Sequence, residues 1–149
     1  METEKKNGFS LDDFTLNAEG DLDLRNKYGQ SSGWVWTFAG PGHPLTIAAD
    51  DRQARRALHI LDEQEKSRVN GKKWKGSGDS MEDIRDRYIS YIIARLIRWT
   101  DGMAVNGEPF PCTPENARTI LLNQQLGVYE QVQEFLQSEK SFTPRSEKN

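Results

Sequence analysis

Cysteine is almost missing from this sequence. Cys112 is the single one, which excludes an internal disulfide framework, and the only histidines, His43 and His59, cannot complete a structural zinc site with it. Long apolar runs are missing too. None approaches the roughly 20 residues needed to cross a bilayer, and the opening METEKKNGFSLDDF lacks an apolar signal core, so no membrane partner is expected. Nor is there a surplus of charge of one sign. A formal net charge of -3 gives no bulk attraction to nucleic acid or to an anionic surface. Apolar residues are themselves scarce: at 35% of the chain they fall below the roughly 45–50% usual for a globular domain, with a mean hydropathy of -0.81. Part of the chain is therefore expected to stay outside any core, most readily the two ends, and the whole reads as a soluble cytosolic protein.

What is present divides the chain into a flexible leader over residues 1–30, a single domain over 31–139 and a disordered tail over 140–149. In the leader, Leu11, Phe14 and Leu16 could pin an arm to the body or to a partner. Trp34, Trp36 and Phe38 fall at period two and share one face of a strand. Gly40, Pro41 and Gly42 supply a turn, and Leu45, Thr46, Ile47 and Ala48 read as a return strand, giving a hairpin. Asp50 or Asp51 then caps a helix carrying Ala54, Ala57, Leu58, Leu61 and Val69 at helical spacing, which stops near Asn70 and Gly71. Ser80 and Asp83 form a capping box for the best-defined helix, whose stripe of Ile84, Tyr88, Tyr91, Ile92, Leu96 and Trp99 ends at Asp101 and Gly102. Asn106, Gly107, Pro109 and Pro111 make a turn-rich link. Thr113 and Pro114 open a helix with Ala117, Ile120 and Leu121. A break near Gly127 separates this from a stripe of Val128, Tyr129, Val132, Phe135 and Leu136. The expected fold class is α+β, mainly α, with a small N-terminal β-hairpin followed by about four helices.

Groups able to converge for catalysis are few. Cys112 stands at a helix start where the dipole could lower a thiol pKa, but neither histidine has a motif tying it to that cysteine, so a structural cysteine and no enzyme are expected. His43 reads as a turn residue rather than a metal ligand. Glu19, Asp21 and Asp23 lack the alternating ligands of a calcium loop and read as solvated acids. No catalytic, cofactor or metal residue is therefore expected, and no cofactor. Lys72, Lys73, Trp74 and Lys75 combine cations with a ring and form a weak candidate for nucleic-acid contact. Large rings are abundant for so polar a chain. Most belong in the core, while Trp34, Trp36, Trp74, Tyr129, Val132 and Phe135 are candidates for protein contact.

The order of these segments resembles that of the tail assembly chaperones of long-tailed bacteriophages and prophages. The likeness rests on the Trp-bearing strand with Ala39, Gly40, Pro41, Gly42, His43 and Pro44, the charged helix after it, and the long helix through Asp86, Arg87, Tyr88, Arg98 and Trp99. It continues through Asp101 and Gly102, the link of Asn106, Gly107, Glu108, Pro109 and Phe110, and the helix opened by Thr113, Pro114, Glu115, Asn116 and Ala117. Gln131, Val132, Phe135 and Phe142 complete it. The resemblance implies a protein of the host bacterial cytoplasm that holds the long, helix-rich tape measure protein soluble during tail assembly. It also implies that the protein is absent from the finished particle. Contact with the major tail protein and association of copies into a homo-oligomer accompany that reading. The alternatives are a virion component for tail completion or head-tail joining, and a small nucleic-acid-binding or host-defence inhibitor protein using the Lys72 to Lys75 loop.

Overall fold

The computed structural model describes residues 8–73 and 80–144. Strands β1 (Glu19–Arg25) and β2 (Ser31–Ala39) form an antiparallel hairpin in which Gly20 pairs with Phe38 and Leu22 with Trp36. The Asn26 side chain accepts from the N–H groups of Tyr28 and Gln30, which closes the turn. This strand lies inside the segment expected to be a flexible leader. Its signal is weak because only Leu22 and Leu24 mark one face, while its acids take cross-strand partners: Thr37 Oγ1 donates to Asp21 at 2.7 Å, and Arg98 pairs with Glu19 at 2.7 Å. The residues before it fare differently: Leu11 and Phe14 are exposed.

The hairpin is thus built with the preceding segment, not the following one. The expected return strand is instead the first turn of α1 (Pro44–Val69). His43 caps it, its Nδ1 accepting from the Leu45 N–H at 3.0 Å, so the helix starts well before Asp50 and Asp51. Pro44 follows at a position where a missing N–H costs nothing and its φ already suits the helix. Thr46 and Ala49, three residues apart, then bury the same face.

The Ser80–Asp83 capping box opens α2 (Met81–Arg95), both reciprocal bonds being 3.1 Å. Its apolar period runs on to Trp99, yet the helix ends at Arg95 and the chain becomes β3 (Leu96–Trp99), paired to the free edge of β2. Tertiary contacts override the period here. The buried Arg95 guanidinium donates to the Ala39 carbonyl at the end of β2 from Nε (3.1 Å) and Nη2 (2.7 Å), and to Tyr91 Oη from Nη1 (3.2 Å). Trp99 reaches Trp36, with ring centroids 5.0 Å apart, and stacks on Phe110 at 5.7 Å. The sheet order is β1-β2-β3.

The turn-rich link contains a miniature hairpin, β4 (Ala104–Val105) and β5 (Glu108–Pro109). Asn106 and Gly107 join them with φ of 53° and 84°, the pair of positive values that this sequence favours in a two-residue hairpin turn. Thr113 caps α3 (Pro114–Leu122), and Gly127 leads into α4 (Val128–Gln137). Among the described residues the fold is therefore α+β and mainly α, with four α-helices behind an N-terminal sheet. None of these helices is long and apolar enough to cross a membrane.

The chain stays ordered past the expected domain edge at residue 139. A short 3-10 turn, Glu139–Phe142, seats Phe142 at 3% exposure beneath the sheet, where Gly20 and Gly40 leave room for it. A Cβ on Gly20 would lie 2.7 Å from the Phe142 ring, and one on Gly40 would lie 2.8 Å from it. Phe142 therefore belongs to the core together with Trp36, Phe38, Ile89, Ile92, Trp99, Leu121 and Val132.

Candidate functional site

Two of the rings and branched residues expected to meet a partner are interior. Trp36 and Val132 are fully buried, which removes them from any surface. Trp34 and Phe135 are half-buried against the same core, Trp34 edge-on to Trp36 and Trp99 and Phe135 edge-on to Phe142. Trp74 and Lys75 lie outside the described residues, and Lys72 and Lys73 are exposed just beyond the end of α1. Tyr129 is the member of the set that lines an open groove.

That groove follows from two helix starts. In α4, Val128 and Val132 point inward four residues apart, so Tyr129 and Gln133, one position along, flank the seam with α2. In α2, the first turn presents Met81 at 79% exposure and Ile84 at 47%. Together with Glu82, Arg85 and Gln124 these residues enclose about 410 Å³. The floor is a cation on a ring: the Arg85 guanidinium lies 4.1 Å from the Tyr129 centroid, and its Nη2 is 3.5 Å from Glu130. Arg85 Nε and Nη2 are buried and meet no hydrogen-bond acceptor among the described residues. A half-buried cation, ion-paired with Glu130 but with two N–H-bearing nitrogens that make no hydrogen bond among the described residues, framed by exposed apolar side chains, suits an apolar helix that also brings an oxygen acceptor.

Behind the groove Tyr88 stacks on Tyr91 at 5.8 Å and meets Tyr129 edge-on at 5.9 Å. Burial raises the pKa of Tyr88 and of Tyr91, and for Tyr91 the hydrogen bond to Asp50, 2.7 Å long, adds to it. Sequence reasoning assigned Ile84 to a core stripe and passed over Met81, Arg85 and Gln133. Their only sequence mark is a place near the starts of two helices, which says nothing about what those turns face.

The polar candidates are scattered. Burial pushes the Cys112 thiol up, opposite to the lowering that a helix start could produce. His43 is taken up in capping α1, and His59 faces Glu63 at 3.2 Å on an exposed helix face. Glu19, Asp21 and Asp23 sit on a strand with cross-strand partners. No group of three or more His, Cys, Asp or Glu side chains among the described residues could hold a metal ion. No protein-family model, curated protein or solved structure matches the chain.

Proposed function

We propose that this chain is a non-enzymatic assembly chaperone of the long-tailed phage type, which captures the tape measure protein by its helices and keeps it soluble in the host cytoplasm. The observation that carries the reading is the groove between α2 and α4, with Met81 and Ile84 exposed on its rim and Arg85 over Tyr129 at its floor. A helical client would cover the two apolar side chains, gaining most of the roughly 1.5–3 kcal/mol of a full burial at Met81 and about half of it at the less exposed Ile84, and offer an acceptor to Arg85. Weak sites of this kind suffice when copies of the chain associate and line up along one long client, because each further contact is then intramolecular. The major tail protein is a second proposed contact.

The test is capture of purified tape measure segments by the wild type and by the Met81→Asp/Ile84→Asp variant. Both positions are exposed, so the variant is expected to keep its near-ultraviolet circular dichroism while binding at least about tenfold more weakly. Undiminished capture by the folded variant would remove the groove from the mechanism. Mass spectrometry of purified particles distinguishes the virion-component alternative, for which the protein would be found in the finished tail.

A further inference from the structure

We infer that two copies of this chain pair antiparallel through the outward face of α1, about a two-fold axis passing between Leu58 and His59. This specifies the association of copies in the reading above. Its test contains no client, so its failure and the failure of the client reading are told apart.

Helix α1 buries only Thr46 and Ala49, both near its start. From Asp50 to its end no residue is buried. One side, with Ala49, Arg52, Gln53 and Arg56, looks across a cleft of about 200 Å³ at Arg87, Ser90 and Tyr91 of α2. At 3.6 residues per turn the opposite side carries Ala54, Leu58, Leu61 and Val69, with Glu65 between the last two held to Arg68 in an ion pair. Leu58, Leu61 and Val69 are 65%, 59% and 69% exposed. A helix with so little tertiary support is marginal in water, so covering this stripe also stabilises the helix itself.

The charges beside the stripe select the occupant. One flank carries two ion pairs in series, Asp51 with Arg55 at 2.8 Å and Asp62 with Lys66 at 3.2 Å. Read along the helix the signs run minus, plus, minus, plus, a pattern that becomes its own complement when the direction is reversed. In an antiparallel pair the same flank of each helix meets its counterpart. Centring the pair between Leu58 and His59 sets Arg55 against Asp62 of the partner subunit and Asp51 against Lys66 of the partner subunit, each contact occurring twice. The apolar side chains of both copies interleave between these rims. In a parallel pair each flank would instead meet the other flank of its partner, so the two series of ion pairs would not face each other. The contact between Asp51 and Lys66 of the two helices spans only about 22 Å at 1.5 Å per residue. A seam that short falls in the class of small, reversible interfaces.

The test is sedimentation across a concentration series for the wild type, for Arg55→Glu and Asp62→Arg singly, and for an equimolar mixture of the two variants. Wild type is expected to dimerise reversibly, more weakly as salt rises. Each variant alone should self-associate about tenfold more weakly, since like charges then oppose each other twice. The mixture should recover dimers, because the acid introduced at position 55 of one copy then faces the base introduced at position 62 of the other, while the remaining native Arg55 faces the remaining native Asp62. Mixing leaves each helix's internal ion pairs unchanged, so recovery reports the contact between copies and not helix stability. A wild type that stays monomeric throughout, or a mixture that associates no better than its components, overturns the proposal. Should either reversal unfold the chain, Leu58→Cys in a Cys112→Ala background decides: mild oxidation is expected to link two copies, whereas Gln53→Cys, facing α2, is not. Absence of the Leu58→Cys crosslink overturns the pairing.

Discussion

Phe142 offers the sharpest check on the fold, because its neighbours in sequence read as tail while its ring is 3% exposed. Phe142→Ala removes a buried phenyl group and leaves a cavity, a change that costs about 3–5 kcal/mol. That is about a fifth or more of the roughly 5–15 kcal/mol that holds a domain of this kind together. At about 2.1 cal/mol/K per residue the unfolding entropy of this chain converts each kcal/mol into about 3 °C, so the midpoint should fall by about 10–15 °C. Two glycines supply an internal control. Gly20→Ala would press its Cβ to 2.7 Å and 2.8 Å from two ring carbons of Phe142, and to 2.8 Å from the Ser141 carbonyl on the same turn. Gly40→Ala meets the ring too, but its closest contact is the backbone carbonyl of Asn17 at 2.5 Å. Overpacking of this sort costs about 1–3 kcal/mol. In a double-mutant cycle by urea unfolding, the cost of Gly20→Ala should shrink in the Phe142→Ala background by the share due to the ring, a coupling of about 1 kcal/mol, while the clash with the Ser141 carbonyl remains. The cost of Gly40→Ala should persist. A Phe142→Ala loss below about 1 kcal/mol, or equal coupling at the two glycines, would refute the packing of the C-terminal turn beneath the sheet.

Two further predictions concern titration. Because burial raises the Cys112 pKa, its alkylation at neutral pH should be slower than that of a free cysteine and accelerate only at higher pH; fast labelling at neutral pH would mean that the thiol is exposed and ionised. Tyr88 and Tyr91 both have raised pKa values, so once the pH passes the ordinary tyrosine value of about 10 the unfolded chain gives up these protons before the folded one. The folded state then holds more protons, and stability must fall as pH rises through that window. Urea midpoints should decline there, less steeply for Tyr91→Phe, and midpoints that stay level would contradict the burial of the tyrosine row.

Local chemistry made much of the fold legible. The Ser80–Asp83 capping box, the Thr113-Pro114 start, the alternation of Trp34, Trp36 and Phe38, and the break before Val128 each state a backbone preference that neighbours in sequence can satisfy. Two expectations gave way, one to a nearer local signal and one to a distant contact. Leu45, Thr46, Ile47 and Ala48 suit a strand by composition, but the His43 cap and Pro44 start a helix there. Leu96 and Trp99 continue a helical period, but the edge of β2 offers them hydrogen bonds and a place beside Trp36. The groove was only partly visible, through Tyr129, since no pattern within either helix shows that Arg85 lies over that ring.

What the sequence by itself determined is the inventory: the starts of α2, α3 and α4, the turns, and a strand with one aromatic face. Those follow from covalent geometry and short-range hydrogen bonding, which neighbouring residues supply. Only the tertiary structure decided that β1 pairs with β2, that Phe142 closes the core, that Trp36 and Val132 are interior, and that α1 leaves one face uncovered. Each of these is a contact, or the lack of one, between residues far apart in sequence, settled by which surfaces exclude water together once the chain has folded.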